Sequence, residues 1–207
     1  MLLLYGVTDQ AFTGDKTLTE QIEEAICAGV TLLQLREKCL DKSAFLEEAL
    51  HVRELTKHYW IPLIINDDVE ISLKCGADGV HVGQDDLSPL EVRRLIGPDR
   101  ILGVTAKNVD QAKKAFIDGA DYIGSGAIFP SPTKKDATPL TLEQLTAICR
   151  SVPIPVTAIG GITIENVSSL KGTGVAGASV VSGIFGQKDI TAAVHRLKEQ
   201  LLKVVSL

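Results

Sequence analysis

A chain of 207 residues, 45% of them hydrophobic, is long enough to bury a core but too short for two domains of ordinary size, so we expect one domain over residues 1–207. The net charge of −5 is spread without basic runs, which argues against nucleic acid or an anionic membrane as a partner. No apolar run reaches the ~18 residues of a membrane span, and no basic, signal-like region opens the chain. We therefore expect a cytoplasmic protein, with its scattered cysteines as reduced thiols.

Short apolar runs, most of them rich in β-branched residues, alternate with helix-like segments along the whole chain. The runs predict eight buried strands, at residues 2–7, 31–35, 63–65, 79–82, 101–104, 122–123, 156–159 and 178–181. Helical spacing predicts helices at residues 21–28, 43–58, 69–75, 109–118, 145–149 and 190–204. Thr17 with Glu20 and Thr141 with Gln144 stand at capping-box spacing, and Gly29 is placed to end the first helix.

A short repeat marks the step from helix to strand. A glycine, a small residue and a third, usually polar residue precede the second, fourth, sixth and eighth strands, as Gly29-Val30-Thr31, Gly76-Ala77-Asp78, Gly119-Ala120-Asp121 and Gly174-Val175-Ala176. A period of two strand-helix units, used four times, predicts a single-domain (β/α)8 TIM barrel. The alternative is a doubly wound open sheet, which would not require eight units or such even spacing.

Acidic residues follow the third and fourth strands. Asn66 and Asp67 come directly after one strand, and Asp86 follows the other. Because parallel strands end at one rim, these carboxylates should converge there, and oxygen ligands of this kind suit Mg²⁺. The alternative is that each acid is an ordinary loop or capping residue.

The second strand carries polar side chains past its apolar run. Gln34, Arg36 and Lys38 alternate, so they should share one face at the same rim. Two cations there call for an anion, which is either a phosphorylated ligand or the neighbouring carboxylates.

Glycines and hydroxyls follow the later strands. Gly160-Gly161 after the seventh strand and Ser182-Gly183 after the eighth match the phosphate site that many barrels build from their last two loops. Thr105 ends the fifth strand. His81 lies in the fourth strand, and we expect it to be a hydrogen-bonded barrel residue rather than a metal ligand. The loop at residues 125–138 contains Ser131, Thr133 and Lys134, which suit a second phosphate or a diphosphate under a closing lid. A solvated surface loop is the alternative.

Ordered motifs covering nearly the whole chain resemble those of thiamin phosphate synthases. They are LYGVTD, LLQLREK, LIIND, ADGVHVGQDDL, ILGVTA, GADYIGSGAIFPSPTKKDA and PVTAIGGI. The resemblance implies a (β/α)8 barrel enzyme that joins a pyrimidine diphosphate to a thiazole phosphate, with Mg²⁺, by a dissociative route. It also implies small-molecule substrates and leaves a homo-oligomer open.

The resemblance also implies roles for individual residues. Asp67 and Asp86 match the Mg²⁺ ligands, and Arg36, Lys38 and Lys134 match the cations that act on the diphosphate. The matched positions around the pyrimidine and its diphosphate are Gln34, Arg36, Lys38 and Asn66, and those for the thiazole phosphate are Ser131, Thr133, Gly161, Val181 and Ser182. Thr105 is also expected to contact substrate.

Three positions depart from the family pattern. Asp68 stands where arginine is usual, and we expect it either to point away from the metal site or to increase the demand for a cation there. Thr105 stands where serine is common, and Ser131 stands where threonine is common, so both positions keep a hydroxyl group. The rival functions are a thiazole tautomerase, which lacks the diphosphate-binding set, and a non-catalytic sensor of a phosphorylated thiamin precursor.

Overall fold

The computed structural model describes residues 1–130 and 139–206. All strands in it run parallel and close into one barrel in sequence order, with β1 paired to both β2 and β8. They are β1 (Leu4–Val7), β2 (Leu32–Leu35), β3 (Leu63–Asn66), β4 (Gly79–Val82), β5 (Ile101–Thr105), β6 (Tyr122–Ser125), β7 (Val156–Ile159) and β8 (Gly177–Val180). The prediction of a (β/α)8 barrel is confirmed, and the open sheet is excluded.

Helices cover the outside of the barrel. Those in the described residues are α1 (Leu18–Ala28), α2 (Lys42–His58), α3 (Val69–Lys74), α4 (Pro89–Ile96), α5 (Val109–Ile117), α6 (Leu142–Ser151) and α7 (Ile190–Val205). Both predicted capping boxes are present, and Gly29 ends α1 with a φ of 117°. A short 3-10 helix, Val167–Leu170, connects β7 to β8. Each of the other connections between successive strands contains an α-helix.

Strand alternation separates two apolar cores. Leu33, Leu35 and Ile65 face the helices. Tyr5, Leu32, Ile64 and Tyr122 fill the barrel interior instead. Gln34 lies two residues beyond Leu32, so it faces the interior at the carboxyl end of β2.

The helix-to-strand repeat ties each even strand to its odd neighbour at the amino end of the barrel. The third residue donates its backbone N–H to a carbonyl of the preceding odd strand, as Thr31 to Leu4 (2.9 Å), Asp78 to Leu63 (2.9 Å), Asp121 to Leu102 (2.8 Å) and Ala176 to Val156 (2.8 Å). In the first three cases the side chain also accepts the N–H of that same residue. The repeat therefore sets the register between strands.

No helix in the described part of the chain combines the length and apolar character that crossing a membrane requires.

Candidate active site

The carboxyl ends of β3 and β4 bring two acids together. Asp67 follows β3 with a φ of 62°, in the left-handed region, and donates its backbone N–H to the carbonyl of His81 on β4 (2.8 Å). A non-glycine residue with this φ is uncommon and is often found at functional turns. The turn breaks the strand alternation and carries the Asp67 carboxylate towards Lys38 and Asp86.

One lysine and two carboxyl groups form a compact cluster at this rim. Lys38 Nζ lies 2.5 Å from Asp67 Oδ2, and the Asp67 and Asp86 carboxyls lie close enough to shift each other's pKa. Asp86 Oδ2 also accepts the Gly83 N–H at 2.7 Å. Among the described residues no group of three or more acidic, histidine or cysteine side chains is arranged to hold a metal ion. The pair offers two hard oxygen ligands, which suits Mg²⁺ because that ion commonly takes its other ligands from water and phosphate.

The two carboxyls have pKa values displaced in opposite directions. Burial raises the pKa of Asp67, but its hydrogen bonds with Lys38 and Asp86 outweigh this and hold that pKa below its usual range. Burial raises the pKa of Asp86, and the nearby charge of Asp67 adds to that rise. The negative charge of the cluster is therefore concentrated on Asp67, which faces Lys38.

Asp68 is directed away from this cluster. It is the N-cap of α3, where Oδ1 accepts the Ile71 N–H at 2.9 Å. Its other oxygen lies 3.8 Å from Lys42 Nζ. Of the two expectations for this residue, the structure supports the one in which it points away.

The loop after β2 is held by a carboxylate that the sequence reading did not single out. Glu37 is buried, and its Oε1 accepts the backbone N–H groups of Lys38 (2.6 Å), Cys39 (2.5 Å) and Leu40 (3.1 Å). Burial raises the pKa of Glu37, but these three donors outweigh it and lower the pKa overall. The sequence could have indicated a separate role for Glu37, because the alternation from Gln34 to Lys38 places Glu37 on the face opposite Lys38.

Arg36 forms an ion pair with Asp9, which lies just after β1. Its guanidinium lies 3.0 Å from Asp9 Oδ2, and its backbone N–H donates to Thr8 Oγ1 at 3.0 Å. Of the two alternatives for this cation, the structure shows pairing with a neighbouring carboxylate.

Three predicted substrate contacts, Gln34, Asn66 and Thr105, lie at the carboxyl ends of β2, β3 and β5. Gln34 is buried and donates from Nε2 to the Tyr5 hydroxyl at 2.6 Å. Thr105 Oγ1 lies 2.9 Å from His81 Nε2, so the interpretation of His81 as a hydrogen-bonded barrel residue is confirmed. The Asn66 side chain helps to lower the pKa of the adjacent Asp67 carboxyl. The sequence reading missed Tyr5 and Tyr122, which occupy the space between these groups.

The loops after β7 and β8 pack closely together. Gly161 has a φ of 61°, and a Cβ there would lie 2.3 Å from the Pro130 carbonyl oxygen. A Cβ on Gly183 would lie 2.5 Å from the Ile162 carbonyl oxygen. Val181 and Ser182 begin a helical turn after β8, in which Phe185 N–H donates to Val181 O at 2.9 Å. The structure therefore places Gly161, Val181 and Ser182 in adjoining loops at the mouth.

The predicted contacts Ser131, Thr133 and Lys134 lie outside the described residues, as does most of the proposed lid.

Comparison with known proteins gives a consistent result. The family model described as thiamine monophosphate synthase matches residues 4–184. The chain is 50% identical to the thiamine-phosphate synthase of Ruminiclostridium cellulolyticum over 95% of its own length and 93% of that protein. It is 47% identical to the Clostridium botulinum protein of the same name over 99% of this chain and 96% of that one.

This chain belongs to the thiamine monophosphate synthase family. A solved structure of thiamine phosphate pyrophosphorylase from Pyrococcus furiosus is 34% identical, covers 99% of this chain and 98% of that chain, and superposes with a TM-score of 0.91. The resemblance read from the sequence motifs is confirmed. With this family, the chain is a transferase of thiamine biosynthesis.

Proposed function

We propose that the residues at the barrel mouth join 4-amino-5-hydroxymethyl-2-methylpyrimidine diphosphate to 4-methyl-5-(2-phosphoethyl)thiazole, giving thiamin monophosphate and diphosphate. The observation that carries the proposal is the cluster of Lys38, Asp67 and Asp86, with Lys38 Nζ 2.5 Å from Asp67. A lysine beside two carboxyls at the carboxyl end of a barrel suits a substrate whose reacting group is a metal-bound diphosphate.

Asp67 and Asp86 would hold Mg²⁺. Their fit is supported by the opposite pKa shifts of the two neighbouring carboxyls, because two acids this close both ionise readily only beside a strong cation. When bound, Mg²⁺ supplies positive charge that stabilises the departing diphosphate. Lys38 already reaches one of these carboxylates, so its ammonium group lies next to the same diphosphate.

The first chemical step in this proposal is departure of diphosphate from the pyrimidine methylene carbon. Arg36, Lys38 and Lys134 stabilise the negative charge that builds up on the leaving group. Gln34, Asn66 and Thr105 hold the pyrimidine ring, whose amino group spreads the positive charge left behind. The thiazole nitrogen then bonds to the methylene carbon with its own lone pair, so no general base is required for that step.

The thiazole phosphate would be held by the loops after β7 and β8. Gly161, Val181 and Ser182 supply backbone there, with Ser131 and Thr133 added from the preceding loop. Glycine at 161 lets the backbone turn with positive φ and approach the Phe129 and Pro130 carbonyls closely. The same contacts connect the phosphate loops to the start of the proposed lid.

We place this reaction in the cytoplasm and give the protein small-molecule partners only. The four cysteines as free thiols support a reducing compartment.

The experiment that tests the function is direct. Purified protein is mixed with the pyrimidine diphosphate, the thiazole phosphate and Mg²⁺, and thiamin monophosphate is sought by mass. We expect product from the native protein and from Asp85→Asn, in which an exposed acid beside the site is neutralised. We expect none from Asp67→Asn or in the presence of a chelator.

The opposite results separate the rivals. Product that survives both Asp67→Asn and the chelator would overturn the metal assignment. A folded native protein that makes no product would reject the synthase. Calorimetry would then support the sensor if substrate bound tightly, and conversion of the thiazole alone would support the tautomerase.

A further inference from the structure

A continuous series of hydrogen bonds crosses the barrel interior just below the mouth. Gln34 Nε2 donates to Tyr5 Oη at 2.6 Å, and Tyr5 Oη lies 2.9 Å from Tyr122 Oη. Tyr122 Oη lies 2.9 Å from His81 Nδ1, and His81 Nε2 lies 2.9 Å from Thr105 Oγ1. These five side chains come from five strands, and we call them the interior relay. Its two ends are residues that the proposed function assigns to the pyrimidine.

The barrel wall is shaped to hold the relay. A Cβ at Gly103 would lie 2.1 Å from Tyr122 Cζ and 2.5 Å from His81 Nδ1, and a Cβ at Gly124 would lie 3.0 Å from His81 Cε1. Both are strand glycines outside the positive-φ set, so they provide space for the rings rather than an unusual backbone. Tyr5 and Tyr122 are 1% and 0% exposed. The two tyrosines are therefore enclosed, and the glycines leave the space that the Tyr122 and His81 rings occupy.

The protons in the relay can be assigned by counting donors. Burial raises the pKa of both tyrosines, so each phenol keeps its single proton. Tyr5 accepts from Gln34 and must donate onward to Tyr122, which in turn donates to His81 Nδ1. His81 then carries its proton on Nε2 and donates to Thr105 Oγ1. Each bond therefore depends on the one before it.

The two ends of the relay have fixed and opposite hydrogen-bonding roles towards a ligand. Gln34 uses an N–H on Tyr5 and keeps its amide oxygen as an acceptor, while Thr105 accepts from His81 and keeps its hydroxyl proton as a donor. Turning the Gln34 amide over would reverse every bond in the series. The hydrogen-bonding characters of Gln34 and Thr105 are thus set together, although the residues stand on different strands.

We propose that Tyr5, Tyr122 and His81 are positioning residues that make the pocket selective for an aminopyrimidine over an oxopyrimidine. This inference rests on the proposed function. An aminopyrimidine edge offers an N–H donor beside a ring-nitrogen acceptor, which matches an acceptor and a donor in the site. An oxopyrimidine offers a carbonyl acceptor beside a ring N–H, so it would leave polar groups unpaired or require the whole relay to reverse.

The test compares two substrates in matched variants. Synthesis is measured with the 4-amino and the 4-oxo pyrimidine diphosphates at saturating thiazole phosphate. We expect Tyr122→Phe to lower the amino-to-oxo ratio of kcat/KM by about 10- to 100-fold, because one hydrogen-bonded contact in a pocket gives selectivity of this order. The change should lie mainly in KM for the aminopyrimidine, with KM for the thiazole phosphate unaltered.

Ser179→Ala is the matched control. Ser179 Oγ lies 3.1 Å from Thr157 Oγ1, and this buried hydroxyl pair lies on β7 and β8, outside the relay. The variant loses an interior hydrogen bond of the same kind, so we expect its substrate ratio to stay at the native value. Equal loss with both substrates in Tyr122→Phe, as in a merely destabilised barrel, would overturn the proposal.

A second measurement reads the relay without turnover. Nitrogen-15 NMR of the His81 ring should show a neutral ring protonated at Nε2 in the native protein. Proton placement on Nδ1 would overturn the proposal, because Thr105 would then be an acceptor. If Tyr122→Phe does not fold, Thr105→Val should lower the substrate ratio and Thr105→Ser should restore it. Native protein that makes no thiamin monophosphate rejects the proposed function alone, since the ring tautomer still reports on the relay.

Discussion

The two ends of the barrel handle charge in opposite ways. At the amino end, Asp78 forms a two-point ion pair with Arg53, at 2.6 and 3.2 Å, and accepts the Leu63 N–H at 2.7 Å. At the carboxyl end, Asp67 and Asp86 face each other with one lysine in contact. At the amino end this acid is matched by an arginine of the fold, whereas in the cluster at the mouth two carboxyls lie beside a single lysine.

The same arrangement of an acid, an arginine and a backbone N–H occurs at a second position at the amino end of the barrel. Asp121 pairs with Arg93 at 2.6 Å and accepts the Leu102 N–H of β5 at 2.7 Å, just as Asp78 pairs with Arg53 and accepts the Leu63 N–H of β3. Arginines from α2 and α4 thereby connect the outer helices to the strand beginnings. From this contrast we expect the acids at the amino end to stabilise the barrel, and the acids at the mouth to serve the proposed reaction at some cost in stability.

Neutralising a mouth acid should have the largest effect on activity. We expect Asp86→Asn to lower kcat by on the order of 10²-fold or more, as removal of one preorganised electrostatic contact commonly does. The thermal midpoint should not fall, because a carboxyl whose pKa is raised by burial and by Asp67 has been replaced with a neutral group. Turnover and thermal unfolding check this, and a lowered midpoint with native turnover would reverse our reading of the two ends.

Removing an amino-end acid should do the opposite. We expect Asp78→Ala to lower the free energy of unfolding by about 2–3 kcal/mol, since Arg53 and the Leu63 N–H lose their partner together. Asp78→Asn, which can still accept from Leu63, should lose less. Urea unfolding measures the loss, and kcat of the folded fraction should be unchanged. A fall in kcat without a loss of stability would contradict the assignment.

Substitutions at two glycines with positive φ distinguish the cost of backbone strain from the cost of steric crowding. A side chain at Gly172 (φ 83°) meets no atom within 4 Å, whereas one at Gly161 (φ 61°) meets the Pro130 carbonyl at 2.3 Å. Gly172→Ala should cost about 1–2 kcal/mol from its φ alone. Gly161→Ala should cost about 1 kcal/mol more and raise KM for the thiazole phosphate. Equal stability and equal KM in the two variants would contradict a role for close packing at Gly161.

The buried Glu37 carboxylate should make stability depend on pH. Its pKa is lowered in the folded protein, so its contribution is complete above the ordinary value of 4.5 and is lost as pH falls through the lower folded value. Glu37→Gln should therefore be about 1 kcal/mol less stable than the native protein at pH 7, with the difference shrinking in acid. Urea unfolding across pH measures it, and a difference that grows in acid would have the wrong sign.

The smallest effect should come from Asp68. Asp68→Ala removes the N-cap of α3 and should cost about 1 kcal/mol, while Asp68→Asn keeps the cap and should cost a few tenths. The Mg²⁺ concentration that gives half-maximal activity should be unaltered in both variants. A shift in that concentration would show that Asp68 acts on the metal site after all.

Much of the barrel could be read from local pattern. Buried runs located the strands to within about two residues, and the repeat at Gly76 and Gly119 indicated quarter-units that the hydrogen bonds at Asp78 and Asp121 bear out. The 3-10 helix between β7 and β8 was not predicted, because that stretch has weak helical spacing and glycines at both 172 and 174. Roles for individual site residues remain predictions.

The sequence by itself determined which residues stand at the strand ends, because alternation and strand direction are local properties. It therefore supplied Gln34, Lys38, Asp67 and Asp86 as a set at one rim. Only the tertiary structure decided which of them touch. The left-handed turn at Asp67 brings its carboxyl to Lys38, and Tyr5 meets Tyr122 across 117 residues of chain. Contacts of that range depend on barrel closure and on the space left by two glycines, which no local pattern reports.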